Sequence, residues 1–168
     1  MATPIKTTTD EYVVTRENLY FYVTKRLEGN TLKASIIHRD PNPGNFILCG
    51  ENRGVLDFDL SERNIRIFDP CYAASAILSE SFEADNTDKL NQWIMIYKNI
   101  LYGYDEVVKL SDNEWKAIPY VVITNQLIST AWFSEQEKYR DLYETNKKMT
   151  EWMLLNFNNM LVDNDRKL

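Results

Sequence analysis

The segment IIHRDPNPGNF, from Ile36 to Phe46, is the feature that most constrains what this chain can fold into. A strand-like apolar pair leads into a histidine and an aspartate. A loop punctuated by prolines follows and ends on an asparagine. The loop therefore holds a carboxylate, Asp40, and a carboxamide, Asn45, five positions apart directly after a strand.

A second acidic stretch, GVLDFDLSE, runs from Gly54 to Glu62. Apolar runs at 46–48 and 55–56 flank the residues from Gly50 to Gly54, a pattern that predicts a β-hairpin with a turn between its strands. Asp57 follows the second strand. Asp40, Asn45 and Asp57 would then sit in or beside loops next to short strands, where a rigid scaffold can aim side chains at a ligand.

These residue types suit phosphoryl transfer. One carboxylate can orient an attacking hydroxyl and accept its proton, while oxygen ligands hold Mg²⁺ against the phosphates. The simpler interpretation is that Asp40 and Asn45 are turn residues and that Asp57 ends a strand, because Asp and Asn are common turn formers. The ordered set, with a hairpin between its parts, favours the functional interpretation.

The rest of the chain predicts a mainly α fold with one small β-hairpin, in a single domain over residues 1–168 whose first nine residues form a disordered or linker N-terminus. Helices are expected over 10–27, from Asp69 onward and over 86–102, where Gly103 ends the last of these. Capping boxes at 111–114 and 134–137 predict two more helix starts, and Pro119 should break the first of those helices. The last helix is expected to bury Leu142, Met149, Met153, Phe157 and Met160.

Composition excludes several classes of function. The formal charge is −6 with no Lys/Arg stripe, which argues against a nucleic-acid binder. No stretch approaches the roughly 20 apolar residues that span a bilayer. The two cysteines indicate free thiols in a reducing, cytoplasmic setting.

The motif set resembles the aminoglycoside phosphotransferase and choline kinase-like family, a branch of the protein-kinase-like fold. The resemblance rests on the H-x-D-x-x-x-x-N spacing of residues 38–45, on Leu56-Asp57-Phe58 after the hairpin, and on Asp69 at a helix start. It covers roughly residues 10–161. It implies the C-terminal, helical lobe of a kinase that uses ATP as phosphate donor together with Mg²⁺.

The resemblance also implies a role for each residue of the set. Asp40 would be the catalytic base, and Asn45 and Asp57 would bind Mg²⁺. His38 would brace the loop. Asp69 would cap its helix and bond back to the catalytic loop.

Two residues depart from the family pattern. Arg39 stands where small-molecule kinases commonly have a small residue. Asp59 would help with the metal or face the substrate, or else be a solvated loop residue. Only eleven residues separate Asp57 from Asp69, which leaves no room for a protein-kinase activation segment. A small-molecule hydroxyl acceptor is therefore favoured, and amino sugars, choline, homoserine and sugars all fit the resemblance.

A complete kinase of this kind has an N-terminal lobe with a Gly-rich phosphate cover and a strand lysine. Here only 37 residues precede His38, and no G-x-G-x-x-G occurs, so the N-lobe is expected to be absent. Three interpretations remain open: the catalytic lobe of a small-molecule kinase separated from its N-lobe, a binding or scaffold protein that keeps the lobe without activity, or a minimal phosphotransferase or phosphatase.

Loss of a lobe would also expose apolar residues. Phe46, Leu48 and Phe58 are the candidates, and large exposed apolar patches tend to find partners. The expected partner is a second copy of the chain or a separate N-lobe polypeptide, alongside nucleotide and small-molecule substrate.

Overall fold

The computed structural model describes residues 32–161 throughout, together with the backbone of four short strands ahead of them. The chain separates into two compact units, Met1–Thr31 and Leu32–Leu168. The described part of the chain has no helix long and apolar enough to cross a membrane.

The first unit contains antiparallel strands. They are β1 (Pro4–Ile5), β2 (Val14–Arg16), β3 (Leu19–Phe21) and β4 (Val23–Thr24). Strand β1 pairs with β4, and β2 pairs with β3 across a two-residue connection.

The helix expected over 10–27 is therefore wrong at the residues that the structure describes. Apolar residues do recur there at helical spacing, but the composition favours strands. Val14 and Thr15 are β-branched, Tyr20 and Phe21 are aromatic, and such residues are enriched in strands. Composition was the better guide than periodicity in this segment.

The second unit is mainly helical. Its helices are α1 (Phe68–Ser81), α2 (Thr87–Val108), α3 (Asp112–Ser134) and α4 (Arg140–Leu155), with short 3-10 helices at Pro43–Asn45, Glu137–Tyr139 and Phe157–Met160. One apolar core joins all four α-helices. Its fully buried members include Leu78 of α1, Leu101 of α2, Ile118 of α3 and Met153 of α4.

Local capping sets several of these helix starts. The Asn86 side chain accepts from the Lys89 N–H at 3.1 Å, and α2 begins directly after it. At α3 the predicted capping box is confirmed, because Ser111 and Glu114 cap each other reciprocally. Helix α2 passes through Gly103 and ends at Val108, so the expected stop at Gly103 is wrong.

Pro119 lies inside α3 and does not break it, contrary to the sequence prediction. A proline in a helix interior costs about 3 kcal/mol. Here Ile118 and Pro119 are both fully buried, and Val122 follows one turn later in the same core. Burial of this apolar surface offsets the lost hydrogen bond.

The second predicted capping box, at Ser134, does not form. Its hydroxyl donates back to the carbonyl of Ala131 at 2.6 Å, inside the last turn of α3. Helix α4 begins only at Arg140, after a short 3-10 turn. It buries Met149 and Met153 as expected, whereas Leu142 remains 46% exposed.

Two antiparallel strand pairs lie beside the helices. They are β5 (Ala34–Ile37) with β8 (Glu62–Ile65), and β6 (Phe46–Cys49) with β7 (Asn52–Val55). The pair β6–β7 confirms the predicted hairpin, with a shorter turn than expected. Cys49 pairs with Asn52, and Gly50 takes the left-handed φ of 59° that glycine adopts readily.

A buried ion pair fixes the junction between β8 and α1. Arg66 donates from Nε and Nη2 to the two carboxylate oxygens of Glu114, at 2.6 and 2.8 Å. The same guanidinium donates to the carbonyls of Val108 and Lys109. The hydrogen bond from Arg66 is the main cause that lowers the Glu114 pKa from 4.5 to about 2.

We expect Glu114→Gln to lower the free energy of unfolding at pH 7 by about 3 kcal/mol, because it leaves a buried guanidinium without its charge partner. The lowered pKa means that this contribution is complete above pH 4.5 and is lost as pH falls toward about 2. Urea unfolding between pH 7 and pH 3 measures it.

The exposed Glu151→Gln is the matched control and should change stability little. A Glu114→Gln difference that is the same at pH 3 as at pH 7 would contradict the linkage.

Candidate active site

The loop after β5 is held by a single carboxylate. Asp69, in the first turn of α1, accepts from the backbone N–H of His38 at 2.8 Å and from that of Arg39 at 2.9 Å. It makes no cap for its own helix, so the expected capping role is wrong. The carboxylate joins the helical core to the loop across 31 residues of sequence.

The ring of His38 connects this loop to the segment that follows the hairpin. Its Nε2 lies 2.6 Å from the carbonyl oxygen of Leu56, and its Nδ1 lies 3.3 Å from the backbone N of Asp40. Nδ1 must accept from that N–H, so Nε2 carries the proton and donates to Leu56. The Phe58 ring packs on the imidazole, with centroids 4.6 Å apart.

Asn45 and Asp40 are brought together. The Asn45 amide nitrogen donates to the Asp40 backbone oxygen at 2.8 Å and approaches its carboxylate at 3.4 Å. The turn between them is set by Asn42, whose side chain accepts from the Gly44 N–H at 2.9 Å. Because the Asn45 amide nitrogen makes these contacts, the amide oxygen is the side-chain atom that could bind Mg²⁺, which prefers oxygen ligands.

Asp57 and Asn45 lie at the same end of the hairpin, the open end away from the turn. The Leu56 N–H donates to the Asn45 carbonyl at 2.9 Å, one rung beyond the Phe46–Val55 pair. Asp57 is exposed and adopts a left-handed φ of 60°, which is unusual for a residue with a side chain. The open end of the hairpin thus carries both expected metal ligands.

The donor set here fits a cation that is shared with phosphates. Among the described residues, no three His, Cys, Asp or Glu side chains group closely enough to hold a metal by themselves. Mg²⁺ commonly takes only one or two protein ligands and completes its shell with water and substrate phosphates. One carboxylate from Asp57 and one amide oxygen from Asn45 match that mode.

Arg39 has a backbone of the kind that glycine adopts, with φ at 76°. A left-handed backbone brings Cβ close to the following carbonyl oxygen, so the position is strained for arginine. Its side chain reaches Glu62 of β8, with Nε and Nη1 each 3.4 Å from a carboxylate oxygen. Asp59 is exposed, and the structure gives it no contact with the loop.

Tyr72 was not found by the sequence reasoning. Burial, the negative charge of Asp40 and a hydrogen bond to it raise the pKa of this phenol to about 12. Tyr72 follows Asp69 by three residues, so the two share a helix face. That spacing was the available signal.

An apolar cavity of about 490 Å³ borders the loop. Its lining includes Ile37, Pro41, Phe46, Val55 and Phe58. The hairpin is exposed, and Leu48 of β6 is 75% exposed.

Residues 7–104 match the model of the phosphotransferase enzyme family APH. The match spans more than half of the chain and includes the loop, the hairpin and Asp69, so the chain belongs to this family. It begins ahead of the loop after β5, among the strands of the first unit. Comparison with curated proteins and with solved structures gives no significant match.

Mn²⁺ should bind the chain weakly, and Asp57→Asn should weaken binding further, because the site depends on nucleotide phosphates to complete coordination. Paramagnetic broadening of NMR signals from residues 40–57 during a Mn²⁺ titration measures this. Asp85→Asn, a change at an exposed carboxylate before α2, is the control. Equal broadening in wild type and Asp57→Asn would remove Asp57 as a ligand.

Proposed function

We propose that this chain is the catalytic lobe of a small-molecule kinase, which directs the γ-phosphate of ATP to a hydroxyl or similar acceptor. The observation that carries the proposal is the way Asp40 is held. Asp69 accepts from the N–H groups of His38 and Arg39, the two residues before Asp40. Asn45 donates to the Asp40 backbone oxygen across the turn. Family membership supplies the phosphotransferase relationship.

Asp40 is the proposed base. It is half-buried, and its carboxylate lies beside the Asn45 amide at the loop surface. A base in this position can orient the acceptor hydroxyl and take its proton. Asp59 is exposed beyond the hairpin, and it is proposed to face the acceptor.

Asn45 and Asp57 would hold Mg²⁺, which neutralises phosphate charge when it is bound with ATP. His38 holds Asp40 and the segment that leads into Asp57 together, because its ring bonds the Leu56 carbonyl on one side and the Asp40 N–H on the other. The imidazole has a structural role in this scheme and does not transfer protons.

The exposed apolar face of the hairpin supports the need for a second lobe. Phe46, Leu48 and Phe58 are 44%, 75% and 59% exposed. A phosphate-binding lobe that covered this face would exclude water from the transferred phosphoryl group and clamp the nucleotide. A separate polypeptide or a second copy of the chain could supply that cover.

The same exposed face favours a second candidate function, in which the lobe is retained as a binding or scaffold module without turnover. The two functions differ in what Asp40 does. Only the catalytic function makes phosphate chemistry depend on its carboxylate.

We expect the chain alone to show negligible transfer to small alcohols and only slow ATP hydrolysis, because the described residues offer no clamp for the α- and β-phosphates. Asp40→Asn should reduce the residual hydrolysis at least about 100-fold, the usual contribution of a general base. Release of phosphate from Mg·ATP, at high protein concentration and with Asp85→Asn as control, measures both.

Hydrolysis that survives Asp40→Asn would favour the scaffold function. Rapid transfer to an amino sugar, choline or homoserine that is lost in Asp40→Asn would contradict the need for a second lobe.

A further inference from the structure

Helix α3 exposes a wide apolar surface far along the chain from the candidate site. Four of its large side chains are half or more exposed: Tyr120, Leu127, Ile128 and Trp132, at 63%, 50%, 60% and 50%. A helix that is apolar around most of its circumference is normally buried on all sides. Here one side is buried in the core, and the other is largely exposed, with the Tyr120 ring in contact with Phe157 and the Trp132 ring stacked on Tyr139.

Tyr120 and Leu127 belong to one continuous stripe of exposed residues, which Ile128 and Trp132 flank. At intervals of three or four, the members of the stripe are Lys116, Tyr120, Thr124, Leu127, Ala131 and Glu135. This spacing places them on one face of an α-helix. The opposite face carries Trp115, Ile118 and Val122 into the core.

We propose that this stripe is the interface of a homodimer in which the α3 helices of two copies pack antiparallel. The charges at its ends favour a second copy as the occupant. Lys116 lies at the start of the stripe and Glu135 at its end. In an antiparallel two-fold pairing, Lys116 of each copy lies against Glu135 of the other, so the dimer has two such ion pairs.

The same register also matches the sizes of the apolar side chains. When Lys116 of one copy lies opposite Glu135 of the other, Tyr120 lies opposite Ala131 and Leu127 lies opposite Thr124. Large residues therefore meet small ones along the whole contact. Small central residues let two helices approach closely, and alternation of large and small fills the space between them.

The stripe spans 20 residues, or about 29 Å of helix, which is long enough for several turns of contact. An interface between identical subunits must be complementary to itself. This stripe meets that condition, because in the antiparallel register its cation faces its anion and each of its large apolar residues faces a smaller one. None of the residues of the candidate site lies on α3, so the inference stands or falls independently of the proposed function.

Sedimentation velocity from 1 to 200 µM tests the proposal with the full chain. We expect a concentration-dependent dimer of the 19.8 kDa chain. Lys116→Glu or Glu135→Lys alone should weaken dimerisation about tenfold or more, because each places like charges together twice. The double charge swap should restore it, which a general effect on folding would not do.

Two matched apolar variants locate the interface. Leu127→Asn should abolish the dimer, whereas Leu155→Asn on α4, at an 86% exposed position, should leave it intact. Leu48→Asn on the hairpin should also leave it intact. A mass of 19.8 kDa at every concentration, a dimer that survives Leu127→Asn, or a double swap that fails to restore association would each overturn the proposal.

Discussion

The candidate site depends on the hydrogen bonds that the Asp69 carboxylate accepts from the loop after β5. The carboxylate accepts from two consecutive backbone N–H groups, those of His38 and Arg39, and so holds a loop whose conformation is otherwise unfavourable. Arg39 adopts a left-handed φ of 76°, and such strain persists only where surrounding contacts over-determine it. Hydrogen bonds to a charged acceptor are stronger than neutral ones, which suits this demand. Removal of the carboxylate would leave two donors unpaired and the strain unopposed.

A second polar contact makes this arrangement rigid. Asp69 can position the loop only if α1 is itself fixed, and the Arg66–Glu114 pair ties the residues just before α1 to the start of α3. Tyr104 of α2 adds a hydrogen bond from its hydroxyl to the Arg66 carbonyl at 2.8 Å. The apolar core holds the four α-helices together, while these polar contacts determine where the loop, the hairpin and the strand β8 lie against them.

Some features that depend on neighbouring residues were predictable from the sequence, whereas the Ser134 capping box and the helix stop at Gly103 were predicted from local patterns and were wrong. Features that depend on distant residues were not predictable. The hairpin and the Ser111 capping box follow from short patterns and were predicted correctly. The Pro119 break was wrong because burial in the core outweighs a local penalty, and the N-terminal helix was wrong because periodicity was given more weight than β-branched and aromatic composition. Tyr72 and Glu62 were missed, since their contacts with the loop after β5 join residues that are 32 and 23 positions apart.

Amide hydrogen exchange at His38 and Arg39 tests most directly whether Asp69 holds the loop after β5. In the wild-type chain both amides should exchange slowly, because each is bonded to the Asp69 carboxylate. In Asp69→Asn both should exchange at least about tenfold faster while core amides such as that of Leu101 keep their protection. Unchanged exchange at both loop amides would contradict the central role of this carboxylate.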